Sequence, residues 1–514
     1  MEISWLLLVL IYATAAYFIT KIAKTRRRRE HKLLLPPGPK PWPIIGNLNL
    51  LGPTPHRSLH RLSQKYGAIM LLKFGKLPVL VASSPEMARQ FLKVHDTLFA
   101  SRPTFAAYKH VSFDYSDVSF SPYGPYWREG RKLFTTKVLS ARRVESYEHV
   151  RVEERRRLLS RLESSSSGNH PVELREHLLR FTLSVISKMI FKEKYFSEGG
   201  ESEGDSVLDM DEMAEIVREW FVLTGAFNVG DWIPWVEFLD LQGYGKKMRA
   251  LRRKMDGFCD YVIDDHLKRR GEGRKDFVDV LMQMAEEEEE ADGVRFTRDS
   301  VKALTMNLLV AATDTSAATI EWFMHEIIRQ PRIVEKAKAE LDKVVGRNRW
   351  VDENDMPQLP YMNAIVMETL RLHPIATLLA PHCAIEDCIV AGYNVSKGTL
   401  VLINAWSIGR DPGSWDAPDE FLPERFVGKE IEFITGSNFA VLPFGSGRRR
   451  CPGINLALKT VPTTLANLVH GFDLELGEGL GVEDISMEEQ YGLTTIPKHP
   501  LSLIMKPTLP SYLY

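Results

Sequence analysis

The chain has 514 residues, 44% hydrophobic and 26% charged, with a formal net charge of −1. That balance suits a globular protein with a large core and excludes a disordered chain, and it offers no basic surplus, so no nucleic-acid partner is expected. Four scattered cysteines (Cys259, Cys383, Cys388 and Cys451) argue against a disulfide framework and for a reducing compartment.

In chain order, Ile3 to Thr20 carries no charge and is succeeded at once by Lys21, Lys24 and Arg26–Arg29. Such a stretch is long enough to cross a bilayer, and the basic flank places the downstream chain in the cytosol. A cleaved signal peptide ending near Ala13-Thr14-Ala15 is the competing reading; such peptides carry their positive charge ahead of the apolar core, and here only Met1 and Glu2 precede it. Residues 1–20 are thus expected to be a membrane anchor and 21–43 a basic, proline-rich linker ending in Pro36-Pro37-Gly38-Pro39-Lys40-Pro41-Trp42-Pro43.

Residues 44–514 show no repeat and no second linker. Gly75–Val81 and Thr399–Ile403 read as short strands, and Val144–Leu162, Met248–Lys268 and Pro331–Val344 as helices. Ser164–Asn169 and Gly199–Asp205 read as exposed loops, and Glu286–Glu290 as a solvated helix end or loop. The fold class expected is mainly α with a minor β region. A long helix is predicted over Arg298–Arg329, with Thr297 and Ser300 as caps and Pro331 as its stop. Its middle, Leu304–Ala312, is largely apolar, yet Thr313, Asp314, Thr315 and Ser316 come directly after it. Polar groups inside a buried element are costly unless paired, so this cluster calls for a purpose.

Cys451 stands in Pro443-Phe444-Gly445-Ser446-Gly447-Arg448-Arg449-Arg450-Cys451-Pro452-Gly453. The glycines allow tight turns and close approach of backbone to a ligand. The arginines, and a helix expected over Leu456–Leu468 with a kink at Pro462, favour thiolate over thiol. A thiolate so held can bind a metal.

Phe444, Gly447, Arg449, Cys451 and Gly453 together resemble the haem-thiolate signature of the cytochrome P-450 family, and Pro36-Pro37-Gly38-Pro39 with Asn404-Ala405-Trp406-Ser407-Ile408-Gly409-Arg410-Asp411-Pro412 resembles the wording of its plant microsomal A-type branch. Ala311-Ala312-Thr313-Asp314-Thr315-Ser316 resembles that family's oxygen-activating segment, with Ala312 where the usual pattern has Gly. Glu368, Arg371 and Arg425 are similar to its structural network, and Trp127 with Arg131 to its Trp-x-x-x-Arg element.

The resemblance implies a single triangular, mostly helical domain with haem between two long helices. It makes Cys451 the proximal ligand of haem b (iron protoporphyrin IX), with Thr315 and Asp314 supplying protons for oxygen activation. Trp127, Arg131, His382 and Arg449 would meet the propionates, and Phe444 and Gly453 would complete the cofactor site. Pocket walls are expected from Phe105–Tyr115, Phe221–Val229, Leu304–Ala312, Ile375–Pro381 and Gly492–Ile496, with Met306, Leu308, Val310, Ile375, Leu378 and Leu379 lining an apolar cavity and Asn307 either offering one hydrogen bond or facing a neighbouring helix.

No Gly-rich dinucleotide fingerprint or flavin domain is present, so electrons must come from outside. A membrane-bound NADPH–cytochrome P-450 reductase is the implied partner, docking on a basic face that includes Lys132, Lys137, Arg142, Arg143, Arg448 and Arg450. The expected activity is insertion of one atom of O2 into a lipophilic small molecule, at the endoplasmic reticulum membrane, with a single membrane pass and the catalytic domain in the cytosol. The rival readings are a haem-thiolate isomerase or dehydratase, and a non-catalytic haem- or lipid-binding membrane protein.

Overall fold

The computed structural model describes residues 34–191, 195–197, 208–270, 275–287, 294–429, 436 and 438–514. The anchor expected over 1–20, the basic run after it and the loop at Gly199–Asp205 lie outside the described residues. Among the described residues, no helix is long and apolar enough to cross a membrane.

The central helix, Arg298–Ile328, sets the architecture. Its start is a capping box: Ser300 N donates to Thr297 Oγ1 and Thr297 N to Ser300 Oγ. Its 31 residues span ~46 Å at the usual rise. It is buried along most of its length because helices pack around it, among them Leu174–Phe191, Met210–Gly225, Tyr244–Lys268, Pro360–Leu372 and Ile454–Gly471. This belt carries the main apolar core, with Phe181, Leu309, Phe323 and Leu465 all fully sealed.

The β region is small and stands to one side. Ile69–Phe74 and Leu77–Ala82 form a hairpin. The second of these strands pairs in parallel with Leu400–Ile403, which also takes His382–Cys383 as an antiparallel neighbour. The strands expected near 75–81 and 399–403 are therefore both present, offset by a residue or two. Gly75 is the turn before the second strand (φ +54), and a Cβ there would come within 2.0 Å of Trp232 O. Within the expected linker, Pro37 O accepts from Leu71 N at 2.8 Å, so this part of it lies against the sheet edge.

One expected helix is broken. Val144–Leu162 divides into Ala141–Ser146 and Glu148–Ser165, with Tyr147 between them at φ −100, ψ 16. A contact remote in sequence holds the bend. The sealed Arg151 gives Nη1 to Val144 O at 2.6 Å and forks onto Glu353 at 2.7 and 2.8 Å. Periodicity along the segment contains no trace of Glu353.

Candidate active site

A cavity of about 300 Å³ lies between the central helix and the last long helix, Ile454–Gly471. One wall is a single face of the central helix: Leu308, Ala311, Ala312, Thr315, Ser316 and Thr319 recur at helical spacing. Another wall is the cysteine loop, including Phe444, Arg449, Cys451 and Gly453. Of the four cysteines, Cys451 alone lines it; Cys259 is buried elsewhere, and Cys383 and Cys388 belong to strands.

The cysteine loop is fixed by backbone geometry. Gly445 and Gly447 take φ of +63 and +69, a region costly for other residues. A Cβ on Gly447 would meet Leu92 O at 2.2 Å, so only glycine fits there. Cys451 N donates to Phe444 O at 2.9 Å, closing the loop, and Arg448 Nη1 ties it to Asp96 at 2.6 Å. Gly453 is the N-cap of the last helix, which continues through Pro462 as expected. Burial pushes the Cys451 thiol up, while the Gly453 N–H and the charges of Arg131 and Arg450 pull the other way.

Beside the cysteine, buried cations gather. Arg449 is spent on three carbonyl oxygens: Ala100 O at 2.7, Val118 O at 3.0 and Ser121 O at 2.5 Å. Arg102, absent from the sequence-based expectation, gives Nη1 to Ala380 O and Pro381 O at 2.6 and 2.7 Å and Nε to Ser119 O at 3.0 Å. Arg131 donates to Arg450 O. Burial brings Arg449 down to about 8 and Arg102 to about 10, and lowers Arg131 as well. His382 Nδ1 faces Phe99 O at 2.8 Å, and burial, with Arg102 and Arg449 nearby, holds the imidazole neutral down to about 3.

Arg102, Arg131, Arg449 and His382 all line the cavity. Trp127 does not. Its indole N–H donates to Val118 O at 3.0 Å, and its ring lies under the Arg449 guanidinium at 4.4 Å. The loop that supplies these carbonyls is pinned by Asp117, whose Oδ1 accepts from Phe120 N and Ser121 N at 2.8 and 3.2 Å. Burial raises Asp117 to about 7, and its other oxygen has no partner among the described residues.

The polar cluster of the central helix splits in two directions. Thr315 faces the cavity, its hydroxyl donating to Ala311 O at 2.7 Å, so its lone pairs remain open to a ligand or water. Asp314 turns away and is 4% exposed; its Oδ2 accepts from Thr494 Oγ1 at 2.8 Å. Burial raises this carboxyl to about 6, against the pull of the Thr494 bond and of Arg175 and Arg218. Thr494 itself lines the cavity, so it stands between Asp314 and the interior.

Of the pocket walls expected, Leu308, Ile375, Leu379 and Asn307 line the cavity. Asn307 is paired with Ser119 at 2.8 Å. Met306 and Val310 pack into the core instead, because they lie on other faces of the same helix. Glu368, Arg371 and Arg425 come together as expected. Arg371 forks onto Glu368 at 2.6 and 2.8 Å, and Arg425 Nε reaches it at 3.0 Å. No local pattern marks Arg102, Asp117 or Thr494; each acquires its place only through partners remote in sequence.

A cysteine and a set of buried cations around an apolar cavity define a cofactor enzyme whose cofactor is anionic and takes a thiolate. Comparison with known proteins agrees. The family model "Cytochrome P450" matches residues 36–504. The chain is 44% identical to trimethyltridecatetraene synthase of Zea mays, over 97% of this chain and 93% of that protein. It is 40% identical to flavonoid 3'-monooxygenase of Petunia hybrida over 99% of each. It is also 40% identical to 4-hydroxyphenylacetaldehyde oxime monooxygenase of Sorghum bicolor, over 97% of this chain and 94% of that one. A solved zebra fish cytochrome P450, whose title mentions progesterone, shares the fold with a TM-score of 0.75 at 24% identity, covering 88% of this chain and 99% of that one.

The chain belongs to the cytochrome P450 family. It is a monooxygenase whose cofactor is haem held by a cysteine thiolate. The residues present fit that group. Arg102, Arg131 and Arg449 spend their hydrogen bonds within the described residues on carbonyl oxygens rather than carboxylates. Buried cations are expensive without counter-ions; the buried Asp117 carboxyl offsets Arg102 and Arg449 in part, and the two propionates of haem would supply the further anions that three such cations call for.

Proposed function

We propose that this chain is a membrane-anchored monooxygenase that inserts one atom of O2 into a lipophilic small molecule of plant specialised metabolism: a phenylpropanoid or flavonoid, a terpenoid or a steroid. Residues 1–20 anchor it in the endoplasmic reticulum membrane, 21–43 connect, and 44–514 form the cytosolic catalytic domain. Electrons come from NADPH through NADPH–cytochrome P450 reductase. The relatives named as monooxygenases of a flavonoid and of an oxime, and as a synthase of a tetraene, support the substrate class. The observation that carries the proposal is that Cys451 and Thr315 line one largely apolar cavity.

Cys451 would hold the haem through its thiolate, and Arg131, Arg449, Arg102 and His382 would hold the propionates, with Trp127 steadying Arg449 from behind. Phe444 and Gly453 shape the floor around the sulfur. Bound there, haem supplies the oxidation of substrate by dioxygen, the second oxygen atom leaving as water. Thr315 Oγ1 accepts a proton donor from inside the cavity, because its own proton is committed to Ala311 O. Asp314 exchanges a proton near neutral pH and passes it through Thr494 Oγ1, the only group bridging it to the cavity among the described hydrogen bonds. Apolar residues such as Leu308, Ile375 and Leu379 exclude bulk water and bind the substrate skeleton.

The test is the carbon-monoxide difference spectrum of the reduced protein. A strongly red-shifted Soret band that disappears in Cys451→Ser is expected; an unshifted band in the wild type sinks the proposal. NADPH and O2 consumption in vesicles containing the reductase then separates a monooxygenase from an isomerase or dehydratase.

A further inference from the structure

A second cavity, of about 40 Å³, shares Leu379 and Leu493 with the larger one. A buried water needs ~10–15 Å³, so the space admits a terminal functional group and not a ring system. Five aromatic rings line it: Phe105, Phe227 and Trp232 with Tyr108 and Tyr491. Elsewhere bare backbone closes it. A Cβ on Gly225 would come within 2.0 Å of the Gly492 carbonyl carbon, so two chain segments meet there with no side chain between them. At the junction of the two cavities Leu379 takes a left-handed φ of +48, a conformation that branched side chains rarely adopt.

Three kinds of polar group interrupt the apolar lining: the Trp232 indole N–H, which has no partner among the described residues, the Thr224 hydroxyl, spent on Trp220 O and Phe221 O, and two phenols. Tyr108 is 1% exposed, and its ring stacks on Phe120, a wall residue of the larger cavity, at 3.9 Å. Tyr491 is half-buried. Neither hydroxyl has a hydrogen-bond partner among the described residues. Buried tyrosines usually find one, and phenylalanine would fill either place without a polar atom to satisfy. Burial pushes both phenols well above their ordinary range, so they stay neutral donors and acceptors.

We infer that Tyr108 and Tyr491 form a subsite for the hydroxyl-bearing end of an elongated and otherwise largely apolar substrate whose reacting part occupies the larger cavity. The inference rests on the monooxygenase reading above and adds a chemical requirement to it: a neutral oxygen remote from the carbon that is oxidised.

The test uses the full-length holoenzyme and two matched pairs of probes, 4′-hydroxyflavone with flavone and farnesol with farnesene. Binding is measured by equilibrium dialysis. The wild type is expected to prefer at least one hydroxylated member by about five- to tenfold, the worth of one net hydrogen bond. Tyr108→Phe and Tyr491→Phe should each reduce that preference, and the double variant should abolish it, with affinity for flavone and farnesene unchanged. A purely structural role would weaken both members of a pair equally. A preference that survives in the double variant, or a wild type with none (equal binding or no binding included), overturns the inference. Failure of the monooxygenase reading would appear separately, as a wild type without the red-shifted carbon-monoxide band, and the dialysis ratios would remain readable.

Discussion

Around Cys451 the backbone is bent by left-handed glycines and pinned by segments from far away; around Thr315 it is a continuous helix whose open groups are two side chains. The cysteine loop depends on two left-handed glycines, a closing Cys451 N–H to Phe444 O bond and a tether to Asp96. The groove on the central helix has a continuous helical backbone, and its polar groups are set by Ala311 O on one side and Thr494 on the other. The first region is rigid and stereochemically intolerant, as a site that must place one sulfur atom requires. The second keeps a titratable carboxyl and an open hydroxyl, as the proposed proton route requires. On that proposal, positioning and proton handling fall to different kinds of structure.

The sharpest way to break this contrast is Gly447→Ala. The left-handed conformation costs ~1–2 kcal/mol for a residue with a Cβ. Overpacking against Leu92 O, 2.2 Å away, adds ~1–3 kcal/mol. Thermal unfolding should shift down, and the red-shifted haem band per mole of protein should fall steeply. An unchanged band would mean the loop is not as constrained as its geometry indicates.

Asp314→Asn tests the other region through pH. Burial raises this carboxyl from 3.8 to about 6, so the folded state holds its proton more tightly than the unfolded one. The group imposes no penalty below about pH 4; the penalty grows as pH rises towards 6 and stays at ~3 kcal/mol above it. The variant should therefore be more stable than wild type at pH 8 and equal to it at pH 4, while turnover supported by the reductase falls. Equal stability at both pH values would show that the carboxyl is not buried as described.

A smaller effect is expected from Thr494→Val, which removes the donor to Asp314 Oδ2 and costs ~2 kcal/mol at neutral pH. In a double-mutant cycle with Asp314→Asn at pH 8 the two changes should be non-additive, since a hydroxyl donor is worth more to a carboxylate than to the amide that replaces it. Additive effects would separate Thr494 from the proposed proton route. Smallest is Ala312→Gly, where a helix interior loses ~0.5–1 kcal/mol. Haem content should not change, which distinguishes this wall from the cysteine loop.

Legibility in the sequence divides along the same line. The cysteine loop, the capped central helix with its polar centre and the Glu368–Arg371–Arg425 network are all legible, the network through the resemblance. The resemblance gives Trp127 a propionate, yet its N–H goes to Val118 O, and Arg102 lines the cavity beside Arg449. Met306 and Val310 show the limit of composition: both are apolar and central, but only helical phase decides which residues face the interior. Val144–Leu162 reads as one helix because Arg151 and Glu353 are far apart in the chain.

The sequence by itself determined the family, the thiolate-bearing loop and the long helix opposite it in purpose, because glycine conformations, caps and short motifs act within a few residues of themselves. Tertiary structure alone decided that Asp314 turns to Thr494, that Arg102 joins the buried cations and that Tyr108 and Tyr491 share a small cavity. Those outcomes depend on which distant segments pack together, and packing is set by burial of the whole core.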